Sequence, residues 1–434
     1  MPAAVVVREF STAEQSVAEI AAELRPPILR RFATEAAQVA RIVADVAERG
    51  DAAVLQHARA LDWPDATVER FEVTAAEIDA AERVVAAAQR EALEVACEAV
   101  REFHEQSRPQ SWLRRSDDRA LGQRCSPLGR VGICVPGGLP LPSSVYMCAV
   151  PARVAGVDEV VIVTSSRRDG SVHPLTLVAA RLAGVDRCFR VGGAHAVAAL
   201  AFGTATIPRV DKIVGPGSIY VTLAKREVFG QVGIESLPGP SDITVISDGS
   251  APAAWIAADM LSQAEHGAES SAILCTPSRG HLAEVREELA RQLPLLPRGD
   301  DATASLARRG ALVLCRDLPE CAAMADAIAP EHLEIALETG AETLAERVRC
   351  AGAIFLGPHT PEPVGDYVAG PSHVLPTEGT ARYASPLSVE DFMRRTSIVR
   401  YSRSALAQDA RHIVALAEAE DLAGHARSAA IRLE

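Results

Sequence analysis

Residues 131–165 read VGICVPGGLPLPSSVYMCAVPARVAGVDEVVIVTS. Two short runs rich in β-branched residues, VGICV and EVVIVTS, have the composition of buried strands, and the segment between them has helical character. A strand, a helix and a second strand in this order form a βαβ unit, in which the strands are parallel and the helix covers one face. The stretch therefore predicts an α/β fold.

The same alternation of strand and helix continues to about residue 360. Six further runs have strand composition: RCFRVGG (187–193), DKIVG (211–215), DITVIS (242–247), SAILCT (271–276), ALVLC (311–315) and GAIFLG (352–357). Eight strands exceed one mononucleotide-binding half, so we expect two α/β domains with parallel sheets. The glycine- and proline-rich turns at 136–138 and 238–240 are the candidate crossover points.

The segments on either side of this region have helical patterns. Thr74 and Glu77 match a capping box, which predicts a helix that runs to about His104. Residues 357–386 are rich in Gly, Pro, Ser and Thr and indicate a functional loop. A short helix over 388–395 and a longer one over 405–423 follow. A tail of about 50 residues cannot bury its own core, so we expect it to pack on another surface, with a second subunit as the candidate.

The composition indicates a globular protein of two to four domains and disfavours some functions. The 434 residues carry 44 Lys and Arg against 57 Asp and Glu, and this charge of −13 disfavours nucleic-acid binding. No apolar run reaches the roughly 18 residues of a transmembrane helix, and residues 1–15 lack a secretory pattern. The nine cysteines form no CxxC pair and lie mostly in apolar runs. They predict reduced, buried thiols in a cytoplasmic protein.

Two nucleotide-binding fingerprints, GxGxxG and GxxxxGK[ST], are absent from the sequence. Three glycine clusters nevertheless follow strand runs and precede helical stretches, at 136–138, 192–193 and 215–217. At such places backbone N–H groups and a helix N-terminus can bind a phosphate. The geometry of a tight turn also explains each cluster taken alone, so both interpretations stay open.

A pair of potential metal ligands ends a predicted amphipathic helix in the segment DMLSQAEHG (259–267). Gln263 and His266 are three residues apart and therefore share a face of the helix. An imidazole together with a carbonyl oxygen can bind a divalent metal. A histidine favoured by the helix dipole and followed by a glycine cap is the alternative explanation.

An adjacent Glu331 and His332 follow a proline at an element boundary. Histidine is the usual general base near neutral pH, and a neighbouring carboxylate can activate water. A polar surface turn explains the same pair equally well.

Further candidates lie nearer the C-terminus. Asp366 and His373 fall in the long loop, where ligands and catalytic groups are frequent, although Asp366 also suits an Asx turn. Glu420 and His425 lie in EAEDLAGHARSAAIRLE, where a solvated helix end is the simpler explanation.

Eight segments in this order make the chain resemble the histidinol dehydrogenase family from about residue 120 to the end. They are VPGGLPLPSSV, VGGAHAVAALAFGT, DKIVGPGSIYVTLAKR, GIESLPGPSD, DMLSQAEHG, APEHLEI, PVGDYVAGPSHVLPT and EDLAGHARSAAIRL. The resemblance implies two incomplete Rossmann-like domains with helical appendages in an intertwined homodimer. It assigns 1–25 to a helical arm, 26–130 plus 238–384 to a first α/β domain with the zinc and substrate site, 131–237 to a second, cofactor-binding α/β domain, and 385–434 to a tail on the partner subunit.

The family consists of zinc-dependent enzymes that oxidise L-histidinol to L-histidine with two NAD, through a bound aldehyde. The resemblance implies that His332 takes the hydroxyl proton and that Glu331 activates the water that attacks the aldehyde. It implies a zinc site formed by Gln263, His266, Asp366 and His425, with His425 supplied by the partner's tail. The implied substrate pocket consists of Ser241, Gln263, His266, His332, Asp366, His373, Glu420 and His425.

The implied cofactor site departs from the family at three positions. Cys134, His195 and Ser218 stand where the family usually has tyrosine, glutamine and asparagine in contact with NAD. Losing an aromatic ring and two amides changes the packing and the hydrogen bonds of the dinucleotide. An alternative is therefore a paralogue that keeps the zinc pocket, acts on another small amino alcohol or a different substrate, and uses little or no NAD.

Overall fold

A computed structural model describes residues 6–25, 32–137 and 140–434 of the chain. Three sheets organise this part of the protein, two of them wholly parallel and the third antiparallel. The predicted α/β class is confirmed, and all eight predicted strands are present. Gly138, the last residue of one predicted turn, lies outside the described residues.

The larger parallel sheet has six strands, named here by their order along the chain. In spatial order they are β1 (Arg8–Ser11), β11 (Ala311–Leu314), β10 (Ser271–Thr276), β9 (Asp242–Ile246), β12 (His332–Ile335) and β13 (Ala353–Leu356). The neighbouring strands β9 and β12 pair with Ile243 opposite His332. Strands β1 and β12 were not predicted, because REFS and HLEI contain charged residues that interrupt the apolar pattern of a buried strand.

The smaller parallel sheet has five strands. In spatial order they are β6 (Arg187–Phe189), β5 (Glu159–Thr164), β4 (Arg130–Val135), β7 (Lys212–Val214) and β8 (Gly233–Ile234). Alternate residues of β4 and β5 belong to different apolar clusters, so both faces of this sheet are buried. Burial on both faces accounts for the continuous apolar runs from which these strands were predicted.

The third sheet is antiparallel and corrects one prediction. It consists of β2 (Trp112–Arg115), β3 (Arg119–Pro127) and β14 (Met393–Tyr401), with β3 in the centre. The predicted helix over 388–395 is wrong: a single 3-10 turn, Val389–Phe392, leads directly into β14. All nine residues of β14 pair with β3, a partner that the local sequence does not reveal.

Seventeen helices occur in the described residues, and most of them cover the two parallel sheets. They are α1 (Val17–Leu24), α2 (Ala33–Arg49), α3 (Asp51–Leu61), α4 (Ala75–Val84), α5 (Ala87–Gln106), α6 (Pro142–Ala155), α7 (Pro174–Leu182), α8 (Gly193–Phe202), α9 (Ile219–Val228), α10 (Ala253–Ala264), α11 (Arg279–Gln292), α12 (Gly299–Arg309), α13 (Leu318–Ile328), α14 (Ala341–Ala345), α15 (Pro363–Tyr367), α16 (Arg403–Ala419) and α17 (Ala423–Ala430). None of them has the length and apolar character needed to cross a membrane.

Two predicted helices are each divided in the structure. The capping box of Thr74 and Glu77 is confirmed, but α4 ends at Val84 and α5 begins at Ala87. No glycine or proline marks this break; α4 packs on α7 whereas α5 packs on α6. The predicted helix over 405–423 is also two helices, because Asp421 adopts a left-handed conformation with φ 58°.

The N-terminal segments pack differently from the predicted grouping. Helices α2 and α3 contact α8 and α9, and α4 and α5 contact α7 and α6, so residues 33–106 cover the smaller sheet. The sequence interpretation placed residues 26–130 with the larger sheet. The arm at 1–25 is not wholly helical, since β1 pairs with β11 at the edge of the larger sheet. The exact domain boundaries stay a prediction.

The cysteines are free, and seven of the nine are buried. This agrees with the prediction of buried thiols without disulfides. The compartment in which the protein resides stays a prediction.

A buried arginine depends on the capping box of α4. Arg190 is only 3% exposed, and its Nη2 donates to Glu77 Oε2 at 2.6 Å. Burial raises the pKa of Glu77, but hydrogen bonds from Arg190 and Thr74 outweigh it and lower the pKa to about 2. Because the folded pKa lies below the ordinary 4.5, the carboxylate stabilises the fold above about pH 4.5. This contribution is lost as the pH falls toward 2.

We expect Glu77→Gln to lower the free energy of unfolding at pH 7 by about 1–2 kcal/mol, since Arg190 loses its counter-charge while glutamine keeps the capping box. The difference from wild type should shrink between pH 5 and pH 3. Urea unfolding followed by circular dichroism at several pH values measures it. Glu19→Gln is the matched control, because Glu19 forms a capping box with Ser16 and no ion pair with any arginine that the structure describes. A loss of stability in Glu77→Gln that does not depend on pH would contradict this account.

Candidate functional site

A reciprocal pair of hydrogen bonds fixes the adjacent glutamate and histidine at the amino ends of two central strands. Glu331 Oε2 accepts from the Asp242 backbone N–H at 3.0 Å, and Asp242 Oδ1 accepts from the Glu331 backbone N–H at 2.8 Å. Both carboxyl groups are buried. Asp242 begins β9 and His332 begins β12, so these bonds set the position of the Glu331–His332 pair relative to the sheet.

Both nitrogens of the His332 imidazole face polar groups. Nδ1 lies 2.9 Å from Gln263 Nε2 and 3.1 Å from the Asp242 carbonyl oxygen. Nε2 lies 3.5 Å from Glu362 Oε1 and 3.8 Å from Asp366 Oδ1. The histidine is only 3% exposed, so the surface turn considered from the sequence does not describe it.

The end of α10 brings the predicted ligand pair to this cluster. Gln263 is fully buried, and its Oε1 has no hydrogen-bond partner among the described residues. His266 follows the helix as an exposed residue, and the charges of Asp366 and His332 act on its imidazole. A buried amide oxygen without a partner is costly, and a metal ion could pair it.

The long loop supplies the remaining groups. Its short helix α15 carries Asp366, and Glu362 precedes the helix. His373 Nδ1 lies 3.7 Å from Asp366 Oδ1. Among the described residues, His332, Glu362 and Asp366 offer ligand atoms within 4.8 Å of one another, close enough to hold a metal ion. The loop prediction is thereby supported by the position of these side chains.

Burial and mutual charge shift the pKa values of the cluster. Burial raises the pKa of Glu331 to about 8, although the positive charge of His332 acts to lower it. Burial lowers the pKa of His332, but the carboxylates of Glu331, Asp366 and Glu362 outweigh it and raise the pKa to about 10. Burial raises the pKa of Asp366, but its interactions with His332 and His373 lower it to about 2. The cluster therefore favours an imidazolium next to an ionised Asp366.

Four acidic residues of this region were missed from the sequence. Glu334 is buried and accepts from the Glu362 backbone N–H at 2.5 Å, and Asp259 shares a hydrogen bond with Glu334. Asp242 holds Glu331, as described above. Glu362 precedes Asp366 by one helical turn, which is the only sequence signal that pointed to it.

Of the other predicted site residues, one lies next to the cluster and two lie on the C-terminal tail. Ser241 directly precedes Asp242 and is half-buried beside the cluster. Glu420 and His425 are exposed on the C-terminal tail, and within the described part of this chain their side chains make no hydrogen bond or ion pair with the cluster. The tail helices α16 and α17 pack mainly on each other. Within the described part of one chain, these two residues therefore have no polar contact with the site.

A separate cavity of about 220 Å³ lies at the carboxyl ends of the strands of the smaller sheet. Cys134 and Ser218 line it, together with the glycine clusters at 192–193 and 217. Burial raises the pKa of the Cys134 thiol to about 11, so this thiol is neutral. His195 does not line the cavity: it is buried, and its Nε2 lies 3.1 Å from Asp62 Oδ2. In open parallel sheets this edge is the usual place for a bound ligand.

Known proteins resemble this chain over almost its whole length. The histidinol dehydrogenase family profile matches residues 30–433. A histidinol dehydrogenase from Moorella thermoacetica is 51% identical over 401 residues, which cover 92% of this chain and 94% of the relative. One from Geobacter sulfurreducens is 52% identical over 396 residues, covering 91% and 92% respectively.

A solved structure agrees with the sequence relatives. The crystal structure of histidinol dehydrogenase from Elizabethkingia anophelis matches with a TM-score of 0.91 at 30% identity, and the match covers 98% of both chains. Identity near one half over nine-tenths of the chain, together with the same fold, leaves one assignment. The chain belongs to the histidinol dehydrogenase family of oxidoreductase enzymes.

Proposed function

We propose that this protein is a zinc- and NAD-dependent dehydrogenase that oxidises L-histidinol to L-histidine in two successive steps. The observation that carries the proposal is the buried Glu331–His332 pair, whose histidine shares with Glu362 and Asp366 a group of ligand atoms close enough to hold a metal ion. The names of the relatives support histidinol as the substrate and do not favour a paralogue with other chemistry. Formation of NADH from NAD and L-histidinol tests the proposal, with the His332→Ala variant as the inactive comparison.

The donor set fits a divalent metal. We propose Gln263, His266 and Asp366 as ligands, with His425 of the partner subunit as the fourth. Two features support this assignment. Gln263 Oε1 has no hydrogen-bond partner among the described residues, and the low pKa of Asp366 keeps its carboxylate ionised. An amide oxygen and a carboxylate oxygen are therefore available to a cation. Bound zinc would hold the substrate in place, and bound NAD would accept the hydride.

His332 and Glu331 supply the proton chemistry in this proposal. His332 takes the proton of the substrate hydroxyl, and Glu331 later takes a proton from the water that attacks the aldehyde. Neighbouring carboxylates hold the pKa of His332 near 10, so the imidazole needs a compensating positive charge at Asp366 to act as a base. The ligand assignment places that charge next to the histidine. Ser241, His373 and Glu420 would line the rest of the substrate pocket.

The cavity beside Cys134 and Ser218 is the proposed NAD site. Its position at the carboxyl ends of parallel strands and its glycine-rich rim support binding of a dinucleotide phosphate by backbone N–H groups. Small side chains at both positions leave room where the family has larger ones.

We propose a homodimer in which the tail completes the partner's site. His425 and Glu420 are exposed, and within the described part of their own chain they make no hydrogen bond or ion pair with the cluster. The antiparallel sheet that leads into the tail exposes Leu121, Ile398 and Val399, and such apolar positions support burial against a second copy. Within this dimer, 131–237 would form the cofactor domain and 385–434 the exchanged tail. A cytoplasmic location is consistent with the free thiols.

We expect purified protein to retain Zn²⁺, and Asp366→Ala to weaken zinc binding by at least about 100-fold, since an ionised ligand is removed. Metal analysis after dialysis and titration with Zn²⁺ measure the change. Asp248→Ala is the control, because Asp248 lies in an exposed turn after β9. Equal zinc content in Asp366→Ala and wild type would contradict the proposed ligand set.

We expect Glu331→Gln to slow the second oxidation far more than the first, by about 10²–10⁴-fold, because an amide cannot take a proton from water. The yield of NADH per histidinol should fall from two toward one. Rapid-mixing measurement of NADH with L-histidinol and with the aldehyde separates the two steps. Glu320→Gln, at a buried glutamate of α13, serves as the control. Equal slowing of both steps would assign Glu331 a role other than water activation.

We expect two inactive variants, Asp366→Ala and His425→Ala, to regain roughly a quarter of wild-type activity when they are co-expressed. In a mixed dimer, one site receives both intact residues if the tail crosses to the partner. If one chain supplied both residues to its own site, every site would lack a ligand. No recovery in a verified mixed dimer would therefore contradict the exchanged tail.

A further inference from the structure

Two glycine turns form the rim of the cavity in the smaller sheet, and they pack closely against their surroundings. Gly192 and Gly193 follow β6 and open α8. A Cβ added to Gly192 would lie 1.7 Å from Ser165 Oγ, so the turn packs directly against the residue that follows β5. Gly193 has φ +64°, a conformation that favours glycine. A small shift of this turn would therefore change the shape of the cavity.

The carboxylate of Asp62 holds this turn by a hydrogen bond to its backbone. Asp62 Oδ2 accepts from the Gly192 backbone N–H at 3.2 Å and lies 3.1 Å from His195 Nε2. Asp62 directly follows α3, in the N-terminal helical layer, and His195 lies in the first turn of α8. The Asp62 side chain is 8% exposed and His195 is 1% exposed. The Asp62–His195 contact thus connects the start of α8 with the N-terminal helical layer.

The second glycine turn is held in the same way. Glu235 Oε1 accepts from the Gly215 backbone N–H at 2.8 Å and from Lys225 Nζ at 2.7 Å. Lys225 also donates to the Gly215 carbonyl oxygen at 2.6 Å. A carboxylate oxygen therefore accepts from a backbone N–H of each turn, and a nitrogen-bearing side chain contacts that same oxygen in each case.

The His195 imidazole contacts Asp62 through one of its two nitrogens. Its Nε2 lies 3.1 Å from Asp62 Oδ2, whereas its buried Nδ1 has no hydrogen-bond partner among the described residues. Asp62, rather than a second polar contact, therefore sets the orientation of the ring.

We infer that Asp62 and His195 are positioning residues for the dinucleotide: they fix the Gly192–Gly193 turn and hence the backbone that faces the ligand. They act through the turn and do not touch the ligand, since neither lines the cavity. The inference rests on the proposed use of NAD. The resemblance implied a direct contact of His195 with NAD, whereas here His195 acts indirectly. It does so together with Asp62, which follows the N-terminal helix α3.

Binding of NADH to the full-length protein without substrate, followed by NADH fluorescence, tests this inference. We expect Asp62→Ala and His195→Leu to raise the Kd for NADH about tenfold, because each removes a hydrogen bond of a charged group. The KM for NAD should rise similarly, with a change of less than about threefold in kcat. His195→Gln keeps a donor to Asp62 and should restore binding to within about threefold of wild type.

His57→Gln is the matched control. His57 lies 2.9 Å from Asp45 in a comparable histidine–aspartate pair, and its ring centroid is 6.0 Å from that of His195. This pair does not contact the glycine turn, so the variant should bind NADH as the wild type does. Hydrogen exchange of residues 190–196 gives a readout without ligand, and Asp62→Ala should exchange faster there.

The outcomes separate the inference from the proposed function. Wild type that binds NADH while Asp62→Ala and His195→Leu bind it equally well would overturn the inference alone. Wild type that binds no NADH would overturn the proposed cofactor and this inference with it. If Asp62→Ala fails to fold, the Kd for NADH of His195→Leu is compared with that of His195→Gln. An equal rise of the Kd in both variants would contradict the positioning role.

Discussion

The paired hydrogen bonds between Asp242 and Glu331 are the constraint on which the reactive cluster depends. Each carboxylate accepts the backbone N–H of the other residue, so the amino ends of β9 and β12 are joined in a fixed register. This places His332 within reach of Gln263 and the loop that carries Asp366. The same burial raises the pKa of Glu331, because a desolvated carboxylate favours its neutral form.

The two candidate sites use opposite edges of their sheets. The cavity lies at the carboxyl ends of the smaller sheet's strands, where parallel sheets usually bind ligands. The reactive cluster lies at the amino ends of β9 and β12 in the larger sheet. A loop and a helix end, not strand ends alone, supply its remaining groups. In the proposed enzyme these two edges would have to present cofactor and substrate to each other.

Buried carboxylates that accept backbone N–H groups recur in both regions. Asp242 and Glu331 hold strand ends, whereas Asp62 and Glu235 hold the glycine turns of the cavity. A buried backbone N–H must be satisfied, and a carboxyl oxygen can accept from it where no helix or sheet partner is available. The protein therefore uses buried acidic side chains to fix the strand ends and the glycine turns at its two candidate sites.

By itself, the sequence determined the α/β class, eight strands, the capping box of α4 and the main candidates of the cluster, because periodicity, caps and short motifs are local. It did not reveal β14, whose strand character depends on pairing with β3, a segment more than 250 residues away. Nor did it reveal the partnership of Asp62 with His195, which are 133 residues apart. Such contacts have no local pattern, so only the tertiary structure decided which buried polar groups meet and what each one holds.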